Sequence, residues 1–412
     1  MTELFKLTSV SEAWKAFRNN ISLNQLAEEQ VPVLDSLGRV LSRDIVSGID
    51  VPGFTRSTMD GFAVRAADTF GAAEAMPAML EVSGEVMMGE EARTGLEPGH
   101  AVRIATGGML PDGADAVVMV EYTEELDSAT ILVVRPVAPG ENVVQKGEDI
   151  REGQVLVKAG TVIRPQEMGG LAGIGIVSCH VARKPLVGIL STGDEIVEPD
   201  RTPGPGQIRD INSYAIAGLV AETGGQAVNY GIIRDEFASL EETVKKAVAE
   251  TDIVVVSGGS SVGTRDVTSR VLDTIGKPGV LVHGVSVKPG KPTILGVVNN
   301  KPVLGLPGHP ASAMVLADIF LVPLVRAMLG LDFTSPDRRT VRALMGRSMA
   351  SASGRLDYIR VALKDENGEL RAEPVLGKSG LIMTMVRADG VVIVPMAKEG
   401  LEAGEEVEVV LF

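Results

Sequence analysis

Between Lys184 and Pro310, four apolar, strand-like segments run straight into tight turns that carry Gly, Pro and charge. They are PLVGIL into STGDE (191–195), DIVVVS into GGSSVGTRD (258–266), GVSV into KPGKP (288–292) and VLGL into PGHPAS (307–312). Gly258, Gly259 and Gly263 let backbone N–H groups approach phosphate oxygens, and Lys288 and Lys291 add point charges. Asp194, Glu195 and Asp266 are hard oxygen donors suited to magnesium. Together these residue types point to a phosphate ester and a metal.

The elements that must position these turns follow from periodicity. Continuous Val/Ile/Leu runs alternating with helical patterns predict a parallel or mixed sheet covered on both faces, which binds ligands at the carboxyl ends of its strands. The four turns are therefore expected to meet around one ligand. Helices are predicted over 214–222, over 240–249 with Ser239 and Glu242 as a local cap, over 267–275 with Asp266 as a candidate N-cap, and over 311–329.

Composition sets the outer bounds. A chain of 412 residues with 45% hydrophobic content has material for several cores. A net charge of −15 and 3% aromatic residues argue against a general nucleic-acid binder, because backbone affinity comes from clustered Lys and Arg. Cys179 is the one cysteine, so there is no intrachain disulfide, and reducing cytoplasm is the expected location. His100, His180, His283 and His309 lack zinc spacing. The segment MTELFKLTSVSEAW has no apolar signal core. The greasiest stretch, 311–331, is interrupted by Asp318, Pro323 and Arg326 and reads as a buried helix, so no membrane span is expected.

The chain divides into unlike parts. Residues 9–20 form a capped amphipathic helix with Ser9 and Glu12 at capping-box spacing and Trp14 assigned to the core. Residues 46–150 are short β-prone runs separated by Gly, Pro and Asp, a small β domain. Residues 151–182 return to strand and helix and are expected to pack with 1–45 as a discontinuous, helical N-terminal domain. An α/β domain follows at 183–331, and 332–412, with an Asn-Gly hairpin in ENGE (366–369) and a turn at RADG (387–390), is read as a C-terminal β-barrel.

Eight strings now stand in a telling order: TRSTMDGFAVRAAD (55–68), VRIATGGMLPDGADAVVMVE (102–121), GEDI (147–150), STGDE, GIIRDE (231–236), SGGSSVGTRD, VKPGKP and GLPGHPASA. In that order they resemble the molybdopterin molybdenumtransferases, the MoeA type, similar to the E domains of fusion proteins such as gephyrin. The resemblance implies a multidomain α/β plus β fold: four domains, a central three-layer α/β/α domain, small flanking β domains, and an elongated homodimer with its site between subunits. It also implies the reaction. Such enzymes take adenylylated molybdopterin, cleave its pyrophosphate with magnesium and molybdate, insert the metal at the dithiolene and release AMP. Transient partners would be the adenylyltransferase and the acceptor molybdoenzymes, in the cytoplasm.

Matched position by position, the resemblance assigns Asp60, Thr106 and Asp149 to the site from the first β domain. It assigns Glu195, Asp235 and Asp266 to the reaction and to the metal. Carboxylates converging from separate strand ends would repel by about 4 kcal/mol per pair at an effective dielectric near 20, and a cation relieves that. Ser257, Gly258, Gly259, Ser260 and Gly263, with Pro307, Gly308 and Pro310, are assigned to substrate phosphate. Lys288, Lys291, Arg360 and Ser379 are assigned to the oxyanion, since a tetrahedral dianion suits Lys, Arg, Ser and backbone N–H donors. Three departures stand out. Val144, Gln145 and Lys146 replace arginines found before GEDI in some members, the flanks of Ser379 differ from QxSS, and His309, given no chemistry, stands where many members have Asn. The alternatives are an adenylyltransferase-like nucleotidyl transfer and a non-catalytic scaffold.

Overall fold

The computed structural model describes residues 7–23, 25–258, 262–331 and 338–412, with the backbone alone at 262–266. The chain divides into two compact units, one of Met1–Glu29 with Ala182–Phe412 and one of Gln30–Val181.

Helix α1 (Val10–Asn20) opens the first unit with the expected capping box: Ser9 Oγ accepts from Glu12 N–H, and the Glu12 carboxylate accepts from Ser9 N–H. Ala13 and Phe17 are buried. Trp14 is not. It sits half-buried, its ring 5.9 Å from that of Phe17 and 5.7 Å from that of Phe320. The indole is too large to be enclosed along a narrow apolar stripe.

The second unit is built on six strands: β1 (Gly61–Val64), β2 (Ala78–Val86), β3 (His100–Ile104), β4 (Ala116–Met119), β5 (Thr123–Asp127) and β6 (Thr130–Val133). They pair in the order β4-β1-β3-β2-β6-β5, antiparallel except for β2 with β3. Phe62, Val64, Leu80, Val118 and Ile131 interdigitate in one core. Helix α2 (Pro165–Gly173) and Cys179 share a separate core with Leu41, Ile163 and Val181.

On returning to the first unit the chain alternates strands and helices. It runs β7 (Leu186–Thr192), α3 (Asn212–Glu222), β8 (Gln226–Ile233), α4 (Phe237–Glu250), β9 (Ile253–Gly258), α5 (Val262–Ile275), β10 (Pro278–His283), β11 (Val287–Lys288), β12 (Ile294–Val298) and β13 (Lys301–Pro307). The sheet order is β8-β7-β9-β13-β12-β10, with the first four parallel, β12 antiparallel to β13, and β10 antiparallel to β12. Val254 and Val256 pack with Leu240 and Val244 of α4 and Val271 and Leu272 of α5. This burial explains the unbroken Val run of β9.

Two helix starts differ from the sequence expectation. Helix α4 begins at Phe237, so Ser239 lies inside its first turn instead of capping it; the N-cap position is Glu236. Helix α5 begins at Val262, so Asp266 is not at its N-cap. For α4 tertiary packing extends the helix beyond its local capping signal, with Phe237 set against the α/β core.

The expected long helix is present as α6 (Pro310–Leu316), a π-helical turn at Ala317–Leu321, and α7 (Val322–Met328), with Pro323 tolerated in the first turn of α7. By length and composition Pro310–Met328 could cross a membrane, but 78% of its apolar window is buried inside the protein. The last strands, β14 (Thr340–Met345), β15 (Leu356–Glu366), β16 (Glu369–Pro374), β17 (Gly390–Val394) and β18 (Glu406–Leu411), close on themselves through a β15–β17 pairing and form a barrel. Asn367 and Gly368 both take positive φ, as a type I′ hairpin turn requires.

Candidate functional site

The parallel strands of the first unit end in register. Thr192 of β7 pairs with Ile233 of β8 and Gly258 of β9, and Gly258 pairs with Pro307 of β13. Their turns therefore leave the sheet along one edge. Gly258 has no room for a side chain, because a Cβ there would lie 2.6 Å from Thr192 Oγ1. Ser257 Oγ and the Gly308 carbonyl both accept from Asn212 Nδ2, at 2.8 and 3.0 Å, so α3 ties two of the turns together. Ser191 Oγ, Thr192 Oγ1 and Asn212 Oδ1 are buried without a hydrogen-bond partner among the described residues. Unsatisfied buried oxygens gathered at a strand edge are a feature of sites that bind polar ligands.

The KPGKP turn departs from the sequence expectation. Its strand, β11, does not belong to the α/β sheet but pairs in parallel with the start of β15, Lys288 opposite Asp357. The turn is thus held between the two six-stranded sheets of the first unit. Gly290 makes it possible, with φ 123° and with no space for a Cβ, which would come 2.4 Å from Leu316 Cδ1.

A cavity of about 650 Å³ opens there, lined by Gly258 and Pro307 of the α/β sheet, by Lys288 and Lys291, and by Arg360 and Ser379 of the barrel. Six residues assigned separately from the sequence are therefore brought together. Arg355, Asp357, Tyr358, Lys378 and His309 line the same cavity without having been singled out as ligands. Arg355 and Asp357 share the RLDYIR string with Arg360, and Lys378 adjoins Ser379, so proximity in sequence was the available signal.

The cavity is strongly cationic. Among the described lining residues Lys288, Lys291, Arg355, Arg360 and Lys378 face a single carboxylate, Asp357. Lys288 Nζ donates to Asp357 Oδ2 at 2.8 Å, and Ser351 Oγ donates to the same oxygen at 3.0 Å. Arg360 is fixed by Nη1 to Thr384 Oγ1 at 2.8 Å and Nη2 to the Gly377 carbonyl at 2.9 Å. Burial lowers the Arg360 pKa from its ordinary value, and the charge of Asp357 opposes that shift. The side chains of Lys291 and Lys378 make no hydrogen bond or ion pair among the described residues, although their backbone carbonyls accept from Val285, Thr293 and Leu381 N–H groups. His309 Nδ1 lies 2.8 Å from Ser379 Oγ. Pro310 follows it as the first residue of α6, and the Ala311 N–H donates to the Ser379 carbonyl at 3.1 Å.

The remaining assigned residues lie elsewhere. Glu195 and Asp235 follow β7 and β8 in the first unit but do not line the cavity. Gly259, Ser260 and the Asp266 side chain lie outside the described residues, while Gly263 is on α5. Among the described residues no group of three His, Cys, Asp or Glu side chains is close enough to hold a metal ion. Asp60, Thr106 and Asp149 are in the second unit. Asp60 Oδ1 accepts from the Thr106 N–H at 2.7 Å, and the amide and hydroxyl of Thr106 hold the Asp60 carboxyl below the ordinary carboxylate range. Asp149 is exposed, and Lys146 of the preceding loop lies 3.4 Å from Asp50, so its charge is shared with that carboxylate.

A mixed α/β sheet and a β-barrel sharing a cationic cavity define a class, and comparison with known proteins places the chain within it. The MoeA N-terminal region (domain I and II) matches residues 8–175, a probable molybdopterin binding domain matches 188–327, and the MoeA C-terminal region (domain IV) matches 342–412. The molybdopterin molybdenumtransferase of Bacillus subtilis is 34% identical, covering 93% of this chain and 89% of that one. The molybdopterin molybdenumtransferase of a Nostoc species is 33% identical, covering 93% and 88%. The crystal structure of a molybdopterin biosynthesis MoeA protein from Pyrococcus horikoshii superimposes with a TM-score of 0.84 at 40% identity, covering 98% of this chain and 99% of that one. The chain belongs to the MoeA family of molybdopterin molybdenumtransferases, transferases of molybdenum cofactor biosynthesis.

Proposed function

We propose that this transferase inserts molybdate into adenylylated molybdopterin and releases AMP, and that the cavity between the α/β sheet and the barrel captures the oxyanion. The observation that carries this reading is the concentration of five cations around one cavity in a chain of net charge −15. Local charge governs such a site because surface charge is screened beyond about 8 Å at physiological salt. Lys291 and Lys378 are ready donors, Arg360 is held rigid, and the His309–Ser379 pair presents a hydroxyl. Gly258, with Gly259, Ser260 and Gly263, would offer backbone N–H groups to the substrate's phosphates where the strands end.

Magnesium is the cofactor of this proposal. Glu195, Asp235 and Asp266 are hard oxygen donors that would hold it, and the ion would neutralise charge on the pyrophosphate as AMP departs. Asp60, Thr106 and Asp149 are proposed to serve the same reaction. The four-domain division, the three-layer α/β/α arrangement, an elongated homodimer, a cytoplasmic location and transient contact with an adenylyltransferase and acceptor molybdoenzymes complete the reading.

The deciding experiment incubates the protein with adenylylated molybdopterin and magnesium, with and without molybdate, and follows AMP and active cofactor. AMP release that requires molybdate supports the reading. ATP consumption without it would favour nucleotidyl transfer, and neither activity would favour a scaffold.

A further inference from the structure

Lys288 and Asp357 are joined twice. Their backbones are opposite one another where β11 meets β15, and Lys288 Nζ donates to Asp357 Oδ2 at 2.8 Å. The two ends of the pair differ. Asp357 is only 3% exposed, whereas the Lys288 side chain is 49% exposed. A buried carboxylate is costly unless it is paired, so Asp357 does not readily release its cation. Ser351 Oγ donates to the same oxygen and fixes the carboxylate from a second direction.

We propose that Asp357 is a positioning residue for oxyanion capture. It holds the Lys288 ammonium at the cavity wall before the anion arrives. An ammonium has three N–H donors, so one spent on Asp357 leaves others for a ligand. A lysine on a free four-carbon stem must be ordered when it binds, and that cost lowers affinity. Lys291 and Lys378, exposed and with no side-chain partner among the described residues, still carry that cost. Lys288 does not. The negative charge of Asp357 is offset at contact distance by Lys288, which leaves the remaining cations to attract the anion. The inference rests on the reading of this cavity as an oxyanion site.

The test uses molybdate alone, titrated by calorimetry into the intact protein and its variants. Asp357→Asn should weaken molybdate binding about tenfold, the worth of one lost charge-assisted contact, and Asp357→Glu should recover part of it. Lys288→Ala combined with Asp357→Asn should bind no worse than Lys288→Ala alone, because Asp357 acts through Lys288. Ser351→Ala, a milder change, should weaken binding a few-fold, and thermal melts confirm that each variant is folded. Acylation of the Lys288 amine, followed by peptide mass spectrometry without any anion, should be faster in Asp357→Asn than in the parent.

Additive losses in the double variant, tighter binding by Asp357→Asn, or unchanged binding when the parent does bind molybdate would each overturn this inference alone. Should Asp357→Asn fail to fold, Ser351→Ala with parental affinity and parental acylation overturns it. A parent protein that binds no tetrahedral oxyanion ends the functional reading of the cavity, and this inference with it.

Discussion

His309 Nδ1 and Ser379 Oγ stand 2.8 Å apart, although 70 residues separate them in the chain. The contact joins the turn before α6 to the barrel's loop, and the Ala311 N–H donation to the Ser379 carbonyl reinforces it. His309 thereby orients a hydroxyl that would otherwise rotate freely. Replacing it with Ala should raise the molybdate concentration needed for AMP release roughly two- to tenfold, the range of one neutral hydrogen bond. His309→Asn should stay near the parent, because an amide can also bond the hydroxyl. A parental molybdate requirement in His309→Ala would remove His309 from the site.

Lys291 carries the cleanest test of the anion reading, since no ion pair among the described residues has to be broken first. Lys291→Ala should raise the molybdate requirement about ten- to a hundredfold, equivalent to about 1.5 to 3 kcal/mol. Affinity for adenylylated molybdopterin, measured without molybdate, should change much less. The reverse pattern would put this lysine on the pyrophosphate.

Gly290 tests the geometry of the turn. With φ 123° and Leu316 Cδ1 2.4 Å from any Cβ, Gly290→Ala combines backbone strain with overpacking. It should cost about 1 to 3 kcal/mol in urea denaturation and displace both lysines. A variant with parental stability and parental molybdate affinity would show that the turn does not set the cavity.

Asp60 predicts a pH effect whose sign is fixed by its pKa, which Thr106 holds below the ordinary value. The unfolded chain binds the proton more tightly than the folded one. The stabilisation is therefore present above the unfolded pKa and is lost as pH falls through the folded pKa. Melting curves of the parent and Asp60→Asn should differ above about pH 4 and converge below it. A gap that persists to lower pH would show that the bond to Thr106 does not depend on charge.

The carboxylates assigned to magnesium are tested by Glu195→Gln and Asp266→Asn. Each should lower turnover about a hundredfold, or roughly 2.7 kcal/mol of transition-state stabilisation, with little change in binding of the pterin nucleotide. Parental turnover at limiting magnesium would exclude the residue as a ligand. Chelation should abolish AMP release by the parent protein.

Much of this protein was legible from the chain. The Ser9–Glu12 cap, the Asn367–Gly368 hairpin and the buried Val run of β9 are written in residues three apart, adjacent or consecutive, so local chemistry determines them. The glycine, lysine and carboxylate turns are equally local, and their types alone pointed to an anion and a metal. Tertiary structure decided the rest. A two-residue strand such as β11 has no periodicity to read, so only its pairing with β15 shows that the lysine turn leaves the barrel sheet and not the α/β sheet. Trp14 is half-exposed because of the packing around it, and α4 starts early because Phe237 packs against the α/β core. Lys288 and Asp357 are 69 residues apart, and a carboxylate next to a catalogue of cations in sequence gives no sign of which one it will hold. Pairing at that range depends on which distant strands meet and in what register, a property of the folded chain that no local pattern encodes.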